Sequence, residues 1–122
     1  MFVLDSHCDT PSQILRLRDL ALDNDHSHVD FPKLKKGAVD AAFFALYIPA
    51  ELDADADAAM AYARKLMDGV EDTVRANSDK AVICRTAAEA LESKDKGLFS
   101  VFLGLENGSA IGESFERLKY FY

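Results

Sequence analysis

The stretch 98-LFSVFLGLENG-108 decides the fold. From Leu98 to Leu105 it is almost continuously apolar and lacks the strict alternation of a strand with one face in water. It therefore reads as a strand buried on both faces, as strands of a parallel sheet are. It runs directly into Glu106 and the turn-forming pair Asn107-Gly108, so its carboxyl end carries an acid. Working backwards, Thr86 and Glu89 have the spacing of a capping box that starts a helix through Leu91, and Gly97 ends that helix. Before it, 81-AVIC-84 is a short strand. From Asp55 to about Ala76, the residues Met60, Ala63, Met67, Val70 and Val74 recur at spacings of three and four, the period of an amphipathic helix packed on one side.

Further towards the start, 41-AAFFALYIP-49 is a second buried strand, in which Phe43, Phe44 and Tyr47 are expected in the core. It follows 32-PKLKKG-37, a helical turn with Pro near its start and Gly at its end. Phe2 to Asp5 reads as a first short strand, followed by a polar segment and a helix that begins at Pro11 and runs through Ile14, Leu15, Leu17 and Leu20. Strands and helices alternate, which predicts right-handed β-α units around a parallel sheet, either doubly wound or closed into a barrel. Residues 2–5, 39–47 and 98–105 are expected to be parallel neighbours.

Composition narrows the function classes. Of the 122 residues, 49% are hydrophobic and 29% charged, the balance of an ordinary globular protein rather than a disordered one. A net charge of -7, with no basic run longer than Lys33 to Lys36, argues against nucleic acid as a partner. No apolar run approaches the ~20 residues of a membrane span, and residues 1–4 are too short for a secretory signal core, so a cytoplasmic protein without a membrane partner is expected. Cys8 and Cys84 are the only cysteines and fit neither a disulfide framework nor a CxxC metal pattern.

In parallel α/β architectures, function gathers at the carboxyl ends of strands. Three metal-type side chains fall there. His7 and Asp9, in 5-DSHCDT-10, stand two residues apart and share a face if the strand continues through them. Glu106, at the end of the decisive strand, is the partner such a half-site needs. Imidazole and carboxylate suit zinc and related divalent ions, and a two-oxygen carboxylate can bridge two metals. An isolated His-x-Asp is weak, because short patterns of common residues arise by chance. Indeed His28-Val29-Asp30 has the same spacing, but Asp30 precedes Pro32 and reads as a helix cap. The run 53-DADAD-57 imitates a calcium loop, yet has Ala58 and Arg64 where that loop requires Gly and Glu, and is read as the solvated start of the long helix. Cys8 should point away from His7 and Asp9 as a small buried hydrophobe rather than a nucleophile.

Three blocks together resemble the membrane dipeptidase (renal dipeptidase) family of zinc peptidases. They are 5-DSHCDTP-11, 28-HVDFPKLKKGAVDAAFFALYIP-49 and 103-LGLENG-108, in the family's order and separation. The resemblance implies the N-terminal part of a TIM-like (β/α)8 metal-dependent hydrolase barrel, with residues 1–122 forming about three β-α units of one amidohydrolase-like domain. It further implies that His7 and Asp9 ligate one Zn2+ and that Glu106 bridges it to a second. The full-length protein would then hydrolyse dipeptide substrates by metal-activated water, and a homodimer is compatible with it. Ser6, Cys8 and Asn107 depart from the family's Gly, Asn and Gly, all beside ligands and none replacing one. The family's later histidine ligands and its substrate-contacting and catalytic residues have no counterpart here, so no catalytic residue is assigned and the chain alone is expected to be inactive. The competing expectation is a non-catalytic remnant or interaction module, whose Phe115, Leu118, Phe121 and Tyr122, on one face of a terminal helix, would be covered by another chain.

Overall fold

A computed structural model describes residues 1–16, 18–23 and 25–122. Four strands, β1 (Leu4–Cys8), β2 (Ala41–Tyr47), β3 (Ala81–Ile83) and β4 (Phe99–Glu106), form one parallel sheet in the order β1-β2-β4-β3. The three strands expected to be neighbours are neighbours, and the short β3 stands outside them against the first half of β4. The expected ends shift slightly. In particular β1 lies further along than residues 2–5, so that His7 is inside the strand.

Helices α1 (Thr10–Ile14), α2 (Phe31–Lys36) and α3 (Ala56–Ala76) pack on one face of the sheet. Val70 and Val74 of α3 and Phe31 and Leu34 of α2 meet Ala42, Phe44, Phe99 and Val101 in a single apolar cluster. The rings of Phe31 and Phe44 each stand tilted against Phe99, at centroid distances of 6.4 and 6.2 Å. Local chemistry sets the helix ends as the residue pattern anticipates. Asp55 caps α3, and the Thr86/Glu89 capping box opens α4 (Ala87–Asp95). The backbone N–H groups of Arg85 and Thr86 donated to the Glu89 carboxylate hold its pKa below the usual range. Gly97, at φ 74°, turns the chain out of that helix in the left-handed region open to glycine.

Two expectations need correction. The helix from Pro11 does not run on to Leu20: α1 ends at Ile14, and Leu20, fully buried, sits in a turn. Leu17, counted in that helix by its period, lies outside the described residues. A spacing of three and four does not separate a helix from a turn that buries the same leucine. Secondly, Phe43 and Tyr47 are not core. Phe44 is fully buried, whereas Phe43 and Tyr47 are 38% and 43% exposed. Successive residues of a strand point to opposite faces, and α1, α2 and α3 cover the face of Phe44. Leu4, Phe43 and Tyr47 belong by register to the other face, where Phe43 stacks on Phe102 at 4.9 Å.

The amino ends of the strands are tied together through Asp40. Its Oδ2 accepts from the Val3 N–H at 2.7 Å and pairs with Lys94 Nζ at 2.7 Å. Its own N–H donates to Val3 O, and its carbonyl accepts from Ser100 N–H. Lys94 also donates to Met1 O. One aspartate thus joins β1, β2, β4 and α4, and the Lys94 ammonium holds its carboxyl below the usual aspartate range.

A group whose pKa is lowered on folding contributes stability above its unfolded value and loses it as pH falls through the folded value. Replacing Asp40 by Ala is therefore expected to cost about 1–2 kcal/mol at pH 7, with the difference from the wild type closing below about pH 4. Denaturant unfolding of both proteins at pH 7 and pH 3 measures this, and an equal gap at both values would refute it. Ala38 follows α2 with φ 52°, a conformation that strains a residue with a Cβ. Ala38→Gly should raise stability by about 0.5–1 kcal/mol in the same assay.

Candidate metal centre

The register of β1 against β2 is broken once. Leu4 pairs with Ala41 and Asp5 with Ala42, but Cys8 pairs with Phe44, so Ser6 and His7 together stand opposite the single Phe43. This is a β-bulge, and its consequence is directional. Strict alternation from Leu4 would put His7 on the helix-covered face with Asp5. The extra residue instead sends Cys8 to that face, where it is buried with Phe44, and leaves His7 on the face of Phe43. The Asp5 carboxylate accepts from the His7 backbone N–H at 3.1 Å and supports the kink.

Asp9 lies one residue past the strand, as the N-cap of α1. Its backbone oxygen accepts from Ser12, but its carboxylate makes no capping hydrogen bond. An aspartate in this position ordinarily spends its side chain on the first turn. Here Oδ1 stands 3.5 Å from His7 Nε2 instead. Glu106 closes β4 on the same face, in register with Tyr47, and its Oε2 is 3.3 Å from His7 Nε2. That pair lacks hydrogen-bond geometry, and Oε2 is shielded from solvent with no hydrogen-bond partner among the described residues.

The three sequence-predicted residues are thus brought together, each offering a ligand atom within 4.8 Å of the others, the one such cluster among the described residues. The donor set fits a divalent ion. Two ligands at ~2.1 Å from a tetrahedral ion stand ~3.4 Å apart, close to the separations found here. A buried carboxylate oxygen without a hydrogen bond is costly unless a cation or donor occupies the space before it. The His7 and Asp9 side chains are 54% and 66% exposed, so the cluster opens outwards.

The other sequence candidates fall where their local chemistry sends them. Asp30 is fully buried as the cap of α2, accepting from Lys33, and neither it nor the exposed His28 joins the cluster. Cys8 is buried, with its Sγ 2.9 Å from Thr10 Oγ1. Asp55 caps α3 at the helix start where the run was read, but Asp53 and Asp57 are not merely solvated: Asp57 pairs with Arg117, and Asp53 faces the end of β4.

That last contact was not anticipated from the residues. Asn107, directly after Glu106, has φ 65°, and its Nδ2 donates to Ile48 O at 3.0 Å and Asp53 Oδ1 at 3.4 Å. Its Oδ1 accepts from Ser109 N–H at 2.9 Å, and Ser109 Oγ donates to Asp53 Oδ1 at 2.6 Å. The available signal was an Asn-Gly pair at a strand end, since Asn tolerates the left-handed region and bonds locally. Its distant partners could not be read from spacing. Among the described residues no helix is long and apolar enough to cross a membrane.

Known proteins resemble this one over its whole length. Residues 1–122 match the family model of the membrane dipeptidases (peptidase family M19). The crystal structure of the metallopeptidase called dipeptidase AC superposes with a TM-score of 0.86 at 27% identity, covering 99% of this chain and 39% of that one. A metallopeptidase from Rhodobacter sphaeroides, solved with a phosphinate mimic of the dipeptide L-Ala-D-Ala, gives 0.86 at 26% identity, covering 99% and 42%. The dipeptidase-like PvdM of Pseudomonas aeruginosa shares the fold, with a TM-score of 0.76 at 15% identity. This chain therefore spans about two fifths of the length of the first two structures. With the whole sequence matched and the three-block resemblance borne out, the chain belongs to the membrane dipeptidase family.

Proposed function

We propose that residues 1–122 are the N-terminal portion of a zinc-dependent dipeptidase barrel, in which His7 and Asp9 hold one Zn2+ and Glu106 bridges it to a second. The observation that carries this reading is the convergence of the three side chains at the carboxyl ends of β1 and β4, with Glu106 Oε2 shielded and without a hydrogen bond. Family membership supports the reaction class. Zinc bound there would supply a water acidic enough to attack an amide carbonyl near neutral pH, and Lewis acidity for the carbonyl oxygen. The residues of this chain position and charge the site. His7 offers a ring nitrogen from a kinked strand, Asp9 an uncommitted carboxylate, and Glu106 two oxygens with different surroundings.

The second metal's remaining ligands are not among these residues, so the chain by itself supplies one ligand set and the bridge. The exposed Leu4, Phe43 and Tyr47 face agrees with this, because parallel sheets of this kind are ordinarily covered on both sides. In a barrel that face is the filled interior. The reading of a stand-alone interaction module draws on the exposed Phe115, Leu118 and Tyr122, but the metal cluster gives it no support.

Residues 1–122 alone are expected to bind zinc weakly and to show no turnover of L-Ala-D-Ala, whereas a chain extended to the length of its relatives should contain zinc and hydrolyse it. Glu106→Ala in the extended protein should lower kcat/KM by at least ~100-fold and lower the zinc content. Metal analysis and dipeptide turnover on the three proteins measure this. Zinc-dependent turnover by residues 1–122, or an unimpaired Glu106→Ala variant, would overturn the assignment.

A further inference from the structure

We propose that Asn107, acting with Asp53 and Ser109, is a positioning clamp that sets the Glu106 carboxylate against His7 and Asp9. The proposal rests on the reading of Glu106 as a metal ligand. It starts from where the ladder stops: β2 and β4 are in register through Tyr47 and Glu106, the last pair of both strands. One residue further the chain leaves the sheet, Asn107 taking φ 65°. At that point the Asn107 side chain continues what the backbone no longer can, donating to the Ile48 carbonyl just beyond the end of β2.

The amide is itself held. Asp53 Oδ1 receives both Asn107 Nδ2 and Ser109 Oγ, and the Asn107 oxygen accepts from Ser109 N–H. These bonds join the ends of two neighbouring strands through residues more than fifty positions apart in sequence. The support bears on Glu106 because its cluster partners stand in β1 and just past its end, and β1 is not its neighbour: β2 lies between. The carboxylate must therefore be placed across a strand, and metal–ligand distances tolerate only ~0.2 Å. Hydrogen bonds beyond the ligands commonly change metal affinity by ~10–100-fold.

The test uses the protein extended to the length of its relatives, with Zn2+ and Co2+ as probes. Asn107→Gly keeps the left-handed backbone and removes only the amide. It should weaken zinc binding, measured by chelator competition, by about tenfold. It should also alter the visible spectrum of the Co2+ form, lower kcat more than it raises KM, and speed amide hydrogen exchange at residues 106–109 in the metal-free protein. Asp53→Ala should reproduce these effects. Asp53→Asn, which keeps an acceptor oxygen, should retain most of the wild-type affinity. Wild-type zinc affinity and an unchanged Co2+ spectrum in both Asn107→Gly and Asp53→Ala would overturn the clamp. Should Asn107→Gly fail to fold, Asp53→Ala against Asp53→Asn decides alone, and equal affinities in that pair refute the proposal. Glu106→Gln with unchanged zinc affinity would overturn the underlying ligand reading instead, whatever the Asn107 variants do.

Discussion

One extra residue in β1 governs which side of the sheet carries the chemistry. With Ser6 and His7 sharing the place opposite Phe43, the side chains after them change faces relative to an unbroken strand. Cys8 enters the apolar cluster under the helices, and His7 turns to the face on which Glu106 ends β4. A slip of one residue in a strand sends every later side chain to the opposite face. A bulge uses this locally: the first half of β1 keeps its pairing with β2 while the second half is re-aimed. The imidazole, the shielded Glu106 oxygen and the uncommitted Asp9 carboxylate become a cluster only after that turn.

The two faces of the sheet are treated differently, and the difference reaches the site. Under the helices, Phe44, Val70 and Val101 are fully buried. On the other face burial declines along β4, from the fully buried Ser100 to the half-buried Phe102 and Glu106. The Asp40 junction anchors the amino ends of three strands with a charge-assisted pair and backbone hydrogen bonds. At the opposite ends the joining is done by side chains, with Asn107, Asp53 and Ser109 taking over where the ladder between β2 and β4 stops. The stable end and the chemical end of the sheet are thus separated, the division expected of folds that carry their sites on strand carboxyl ends.

Much of this was legible in the residues. The near-continuous apolarity of 98–105 and 41–48 pointed to a parallel sheet, and the Thr86/Glu89 box and Asp55 marked helix starts that the structure contains. His7, Asp9 and Glu106 could be singled out because few side chains bind metals and these three stand at predicted strand ends. Other features were not legible. Periodicity could not show that Phe43 and Tyr47 lie on the face away from α1, α2 and α3, because alternation separates two faces without saying which one those helices choose. Nor could spacing reveal the bulge: the likeness of i and i+2 placed His7 with Asp9, but the face they share depends on pairing with β2. The contact of Asn107 and Asp53 depends on register between strands far apart in sequence. The sequence by itself determined the kinds of element and the kind of ligand, since both follow from local chemistry. Only the tertiary structure decided the side of the sheet, the convergence and the supports, since these arise from which strand pairs with which, and one residue of slip reverses them.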